Sequence, residues 1–512
     1  MFRKITILPF ILLSFSLIAQ HTGSFPVSNP EAEGVSSAGI LGFINAAEKS
    51  NNELHSFMIL RHGKVIAEGW WDPYKRSLRH SMYSASKTFT STAIGFAISE
   101  NRIKLNDKVI SFFPNDLPES ISPNLAVLTV RDVLMMSIGQ FPEPTNGVAK
   151  SRDWVKIFLA TPIVNKPGSV FLYNSVGTFM LSAILQKVTG QKIVDYLRPR
   201  LFDPLGITGM DWEENLMSVN TGGWGLRIKT EDMAKLGQLY LQKGIWNGNQ
   251  ILPASWIEET TTAKIFRNPL LAQSKKDSSD WEQGYGYQVW RSRHNTYRAD
   301  GAFGQYILVL PEQDAVIVIQ SETRDMQNEL DLVWDYLLPA IKKGKIPADQ
   351  ISQAALKEKL LSLAIKPAVG NFSSFTSNKN LNKYFILEPN DKQIGSITIQ
   401  IKDSICHFIM NTGTDTYNLY YGAGFWKTAQ TNKPGPSLFS YAKENYALLS
   451  PYKVAGNFYW KDDQTLTMEM RYLESPHTET ITCHFDGKNI SVDIEYSLDF
   501  GNKKTVLTGV LK

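Results

Sequence analysis

Ser84 and Lys87 stand three residues apart in YSASKTFTSTAIGFAI, the stretch from Tyr83 to Ile98. A serine attacks a carbonyl carbon only if its proton is removed, and a lysine can remove it once burial favours the neutral amine. The residues that follow supply the burial. Phe89, Ala93, Phe96 and Ala97 recur at helical spacing with Ile94 and Ile98 beside them, so the predicted helix is apolar nearly all round. Ser84 then falls at its first turn, where unpaired N–H groups and the positive end of the dipole favour negative charge. Lys87, at i+3, shares its face. The pair alone does not establish this chemistry. Ser440–Lys443 and Ser450–Lys453 have the same spacing, although neither opens a helix and Pro451 interrupts the second. A capping serine beside a solvated lysine is the plain alternative.

Two further stretches could complete a site. PGSVFLYNSVGTFMLSAILQKVTGQ carries a Pro167-Gly168 turn, then Tyr173, Asn174 and Ser175, then a helix with Phe179, Met180, Ala183, Ile184 and Val188 that ends at Gly190. Tyr173 and Ser175, two apart before a buried helix, could face the same cleft as Ser84. A lysine nearby would favour the phenolate of Tyr173, which could shuttle a proton. In YRADGAFGQYILVLPE, Gly301 and Gly304 permit close backbone approach at a strand start. An N–H just beyond Gly301 could join that of Ser84 in an oxyanion hole. The eight histidines form no close zinc pair, and no Gly-x-Ser-x-Gly elbow occurs. The glycines of GGWGL read as a tight turn without a phosphate-loop signature. No metal and no cofactor are expected.

The elements that must position these residues fall in two blocks. Residues 30–343 read as one α/β unit. SFMILRHGKVIAEGWW is two strands around a His62-Gly63 turn, and a helical, loop-rich middle runs to about Gln242. GYGYQVWRS, TYRADG, QYILVLPE and AVIVIQSE follow as strands, and LDLVWDYLLPAIKKG closes the unit as a helix. Strands at both ends with helices between predict one antiparallel sheet whose termini pair. The charged stretch 344–366 reads as a linker, so a chain cut near residue 350 would leave a soluble catalytic unit. Residues 367–512 alternate in strand fashion, with Leu466, Met468, Met470 and Tyr472 on one face and Val492, Ile494, Tyr496 and Leu498 on another, behind an Asp486-Gly487 turn. A small all-β barrel or sandwich is expected there. The fold class is thus α+β, an antiparallel sheet flanked by helices and followed by a smaller all-β domain.

Composition is that of a globular chain: 512 residues, 43% hydrophobic and 20% charged. MFRKITILPFILLSFSLIAQ, residues 1–20, has a basic start and a short apolar run and reads as a signal peptide, with a membrane anchor as the alternative. A periplasmic or secreted location is expected, without stable membrane insertion after its removal. Loss of Arg3 and Lys4 takes the net charge from +4 to +2, which gives no reason to invoke nucleic acid. Cys406 and Cys483 are each followed by a histidine, His407 and His484. Neighbours on a strand point to opposite faces, so these pairs are poor metal grips; separate buried thiols are expected, with a disulfide open.

The order Ser-x-x-Lys, Tyr-x-Ser, Gly-containing strand resembles the penicillin-recognising serine hydrolases. It is most similar to the class C β-lactamase-related branch of D-Ala-D-Ala peptidases, esterases and 6-aminohexanoate-dimer hydrolases. LTVRDVLMMSIG, LFDPLGITGM, GGWGLRIKTEDMAKLGQLYLQKGIWNG and GYGYQVW carry the likeness further, over roughly residues 30–343. The resemblance implies a β-lactamase/transpeptidase-like fold. It also implies Ser84 as acylated nucleophile, Lys87 as its base, Tyr173 as proton donor to the leaving group and activator of the deacylating water, and the N–H groups of Ser84 and Ala302 as oxyanion hole. Ser175 stands where many relatives have asparagine, and Ala299-Asp300-Gly301 stands at the Lys-Thr-Gly box. Ser175, Asp300, Gly301, Trp224 and Gln305 are the candidate substrate-binding residues. In the family the lysine of that box holds the substrate carboxylate; with Ala299 in its place and a repelling carboxylate at Asp300, poor β-lactam hydrolysis is expected, although Arg298 next door could offset it. A small neutral or amine-bearing peptide, amide or ester is the expected substrate, with cell-wall material an open partner. Glu143 in EPTN resembles the deacylating loop of class A β-lactamases but precedes the tyrosine motif, the wrong order, and is set aside. A catalytically silent relative whose β domain binds a cell-wall or surface partner remains the alternative.

Overall fold

The computed structural model describes residues 25–148, 151–370, 382–437, 451–498 and 504–512. The signal-peptide reading and Ser440–Lys443 lie outside them. The first body is built on a six-stranded sheet: β1 (Glu53–Arg61), β2 (Lys64–Trp70), β3 (Trp290–Ser292), β4 (Thr296–Gly301), β5 (Gln305–Leu310) and β6 (Ala315–Glu322). Their order is β2-β1-β6-β5-β4-β3, antiparallel throughout, so the first and last strands of the unit pair as expected. His62 and Gly63, both with positive φ, turn β1 into β2. Of GYGYQVWRS only the end becomes a strand; Tyr285 makes isolated bridges to Ile265 and Trp290, and Gln288 takes a left-handed φ.

The sheet reads as nearly continuous apolar sequence because both faces are covered. Met58, Leu60, Ile307, Val309, Val316 and Val318 face one core, packed by α2 (Ser86–Ser99), α3 (Ser175–Thr189) and α4 (Thr230–Leu241). Ile59, Leu308, Ile317 and Ile319, alternate neighbours on the same strands, face the other core beneath α1 (Ser37–Lys49) and α5 (Met326–Leu332). The expected closing helix starts earlier and ends sooner than read, at Ala340. The stretch expected as a linker is ordered. Within it α6 (Gln350–Leu361) packs on α1, and Leu356 and Leu363 are buried in the second core. Gly69 makes this possible, since a Cβ there would come within 2.4 Å of Leu363.

The second body is a barrel, which settles the barrel-or-sandwich alternative. It comprises β7 (Lys383–Leu387), β8 (Ile394–Lys402), β9 (Ile405–Thr412), β10 (Thr416–Ala423), β11 (Lys427–Thr431), β12 (Tyr452–Asp462), β13 (Thr465–Tyr472), β14 (His477–Asp486), β15 (Asn489–Tyr496) and β16 (Thr505–Leu511). A parallel contact of β10 with β12 closes nine strands into a ring, with β11 paired to the outside of β12. Leu466, Met468, Met470, Tyr472, Val492 and Ile494 fill its core as expected. Cys406 and Cys483 are separate buried thiols there, while His407 points outward onto Tyr420. Leu498, expected on the same face, instead enters the core of the first body. No helix among the described residues is long and apolar enough to cross a membrane.

Candidate active site

Ser84 sits in a tight turn, Tyr83–Ala85, that runs straight into α2. Residues Ser86 to Ala97 are all buried, so the helix is enclosed as its sequence predicts. Lys87 is 1% exposed. Its Nζ lies 3.0 Å from Ser84 Oγ, 3.1 Å from Ser175 Oγ and 2.7 Å from the Gly223 carbonyl oxygen. Burial lowers the Lys87 amine to about 7, against the charges of Glu143 and Asp300, which raise it. A neutral amine has two hydrogens and one lone pair. The Gly223 carbonyl can only accept, so one N–H goes there; a second can go to Ser175, which leaves the lone pair free to take the Ser84 proton.

Ser175 opens α3, capped by Asn174, whose side chain accepts from the Gly177 N–H at 2.7 Å. Gly223 reaches Lys87 because it has no side chain: a Cβ would lie 2.6 Å from the Ser175 carbonyl oxygen. The reading of GGWGL as a bare turn missed this carbonyl, and only the doubled glycine hinted at a close approach.

Tyr173 stacks on Trp290 (6.0 Å between centroids, 18°), and its ring also lies 4.8 Å from Lys87 Nζ. The outer part of the ring is open to solvent, while its hydroxyl lies deep and hydrogen-bonds Ser84. The expectation of a favoured phenolate is corrected. Burial pushes the phenol up, and Asp300 pushes in the same direction, so the group stays protonated at neutral pH.

Gly301 ends β4 against the Ser84 turn. A Cβ there would stand 2.1 Å from the Met82 carbonyl oxygen and 3.2 Å from the Ala85 nitrogen, so only glycine fits. Ala302, the next residue, is partly exposed beside that turn. Asp300 is not a free charge. It pairs with the fully buried Arg298 at 2.8 Å, while burial raises its carboxyl. Arg298 is in turn held by Ser292 and by the Asp280 and Arg291 carbonyls. Arg298 therefore neutralises a neighbour and is itself shielded from the cleft.

Two candidates are corrected. Trp224 is 1% exposed and donates its indole N–H to Glu213 at 3.2 Å; its bulk belongs to the core. Gln305 is fully buried, and its amide donates to the carbonyls of Phe303 (3.0 Å) and Ser321 (2.7 Å). Its work is to satisfy the turn after Gly301. Conversely, Glu143, set aside on chain order, lies close enough to Lys87 to act on its charge. Chain order says nothing about which loops the fold brings together.

A family model described as Beta-lactamase matches residues 53–338. A 6-aminohexanoate-dimer hydrolase of Paenarthrobacter ureafaciens is 25% identical over 292 residues, 53% of this chain and 73% of the relative. Protein flp of Staphylococcus aureus (strain MRSA252) is 25% identical over 174 residues, 31% of this chain and about a third (35%) of its own length. Among solved structures, a penicillin-binding protein homologue from Caulobacter crescentus superposes with a TM-score of 0.48 at 13% identity, covering 59% of this chain and 97% of its own.

Proposed function

The chain belongs to the Beta-lactamase family of serine hydrolases, and on that premise we propose that it hydrolyses a small amide, peptide or ester through an acyl-enzyme on Ser84. One observation carries the reading: a buried lysine, lowered to about 7, whose amine touches Ser84 Oγ at 3.0 Å. In the first step the Ser84 oxygen bonds to the acyl carbon as its proton passes to Lys87. The N–H groups of Ser84 and Ala302 receive the carbonyl oxygen as it gains charge. Tyr173, protonated and hydrogen-bonded to Ser84, gives its proton to the departing nitrogen or oxygen and recovers one from Lys87. Water then attacks the ester, with the same groups running in reverse.

The charge around the cleft supports a neutral or amine-bearing substrate. Glu143 and Asp300 are the acidic groups that act on Lys87, and Arg298 is committed to Asp300. A substrate carboxylate has no cation to meet at Asp300, so β-lactams are poor substrates in this reading. The relative from Paenarthrobacter ureafaciens, named for an amide dimer, supports the amide side. Export from the cytoplasm and contact with cell-wall peptides belong to the same proposal, supported by the basic and apolar residues 1–20.

The test is a substrate panel on the full chain beside Ser84→Ala: short-chain nitrophenyl esters, D-Ala-D-Ala peptides, an aminohexanoate dimer and a chromogenic cephalosporin. Turnover of an ester or amide that disappears with Ser84, and weak cephalosporin turnover, is the expected result. Equal turnover by Ser84→Ala moves the nucleophile elsewhere. Silence across the panel, with a folded wild type, favours a binding protein on an enzyme scaffold.

A further inference from the structure

The residues that flank the two proposed oxyanion donors are unusual in the same way. Tyr83, before Ser84, has φ 43°, and Phe303, after Ala302, has φ 69°. Bulky residues avoid this left-handed region and stay there only where packing over-determines the position. The packing is a three-ring cluster. Tyr83 and Phe303 meet edge to face at 5.4 Å, and the third ring is His477, 5.7 Å from Tyr83 and 5.3 Å from Phe303. His477 Nε2 also hydrogen-bonds the Tyr83 hydroxyl. His477 opens β14, so it belongs to the barrel, and it is 1% exposed.

The neighbouring contacts keep it in place. The Ser81 N–H donates to the Glu474 carbonyl at 2.9 Å, and Glu474 bridges Arg79 and Arg227 at 3.2 Å each. Thr478 donates to Glu322 at 2.9 Å. The turn before β14 is therefore fastened to the segment that leads into Ser84 and to the end of β6.

We propose that the barrel is part of the catalytic apparatus, with His477 as a positioning residue that clamps Tyr83 and Phe303 and thereby aims the Ser84 and Ala302 N–H groups at the oxyanion. His477 touches no substrate in this account. It acts on the transition state through the two turns it holds, so its loss reduces turnover without changing the base. The inference rests on the Ser84 reading above.

The experiment compares full-length His477→Ala, His477→Gln, Tyr83→Phe and, as an interface control that leaves the three rings themselves intact, Arg471→Gln. Each is assayed for kcat and KM on the best ester, for the pH profile, for thermal midpoint and for affinity toward a simple boronic acid. The boron bonds to Ser84 Oγ as the serine proton passes to Lys87, giving a tetrahedral adduct with a hydroxyl in the oxyanion position. His477→Ala is expected to lower kcat and weaken boronate binding by about 10- to 100-fold each, with KM within about threefold and the pH midpoint unchanged. His477→Gln should recover part of the loss, and Tyr83→Phe should lose about tenfold while folding normally. Arg471→Gln should lower the thermal midpoint and leave kcat alone. Unchanged kcat in both His477→Ala and Tyr83→Phe overturns the inference, as does an equal loss in Arg471→Gln, which would make the effect general docking. If His477→Ala does not fold, Tyr83→Phe decides. Wild-type activity that survives Ser84→Ala overturns the underlying reading instead, and the two failures are thereby distinguished.

Discussion

Lys87 is the base of the proposed mechanism because its charge costs more in the cleft than in water. Burial holds the amine at about 7, and Glu143 and Asp300 keep it from falling further. Only the neutral form accepts the Ser84 proton, so kcat/KM on a neutral ester should fall about tenfold per pH unit below about 7 and level off above it. A profile from pH 5 to 9 that is flat through 7 would remove Lys87 as the base. Glu143→Gln deletes a charge that raises the amine, so its midpoint should move to lower pH. Tyr173 is held protonated by burial. Tyr173→Phe should lower kcat about 100-fold or more with little change in KM, because the lost proton is needed only as the leaving group departs. An unchanged kcat would take that role from Tyr173. At this scale the sequence was readable for Ser84, Lys87, Tyr173 and Ser175, whose spacing marks helix starts. It was not readable for Gly223 or Gln305. A backbone carbonyl leaves no side-chain signature, and a glutamine on a strand does not declare whether it faces cleft or core.

At the scale of elements, the site is the meeting of one helix start with one strand end. Gly301 is the joint, because its hydrogen leaves β4 room against the Met82 carbonyl. Gly301→Ala places a carbon 2.1 Å from that backbone oxygen. The strand must withdraw, at a cost of about 1–3 kcal/mol for the overpacking. The N–H of Ala302, the proposed oxyanion donor, withdraws with it, so kcat should fall by about 100-fold. Wild-type kcat in a folded Gly301→Ala protein would place the oxyanion donor elsewhere. The glycine was legible before the structure because a strand interior has no other use for it. The enclosed helix was legible from periodicity, and the paired terminal strands from the order of strands and helices along the chain. GYGYQVWRS was not, since aromatic residues with alternating polarity also suit a loop that packs Tyr285 and Trp290 around Tyr173.

At the scale of the whole molecule, the two bodies share buried surface. Leu498 enters the first core, and Tyr74 packs with Ala455 and Leu473 across the boundary. Arg227 and Glu474 form an ion pair that is nearly inaccessible on both sides, and Arg471 pairs with Glu53. A chain ended near residue 350 would strip Leu356 and Leu363 from the second core of the first body as well as removing the barrel. One ended after Lys366 keeps those leucines and loses only the docked face. The second should be the more soluble of the two. It should still melt below the full chain, since loss of the barrel exposes the apolar surface of Tyr74 that Ala455 and Leu473 cover. Equal thermal midpoints for the full chain and the 366 truncation would show that the docking contributes nothing to stability. The composition change near residue 367 revealed the second body, but its docking was hidden. The contact between Tyr83 and His477 spans 394 residues, and nothing local in either stretch points to the other.

The most direct measurement of the central claim is intact mass after brief exposure to an activated ester, on wild type and Ser84→Ala, followed by peptide mapping. A single acyl adduct on the peptide containing Ser84, absent from Ser84→Ala, is the predicted result. An adduct of equal yield in Ser84→Ala, or one mapped to another residue, would contradict it.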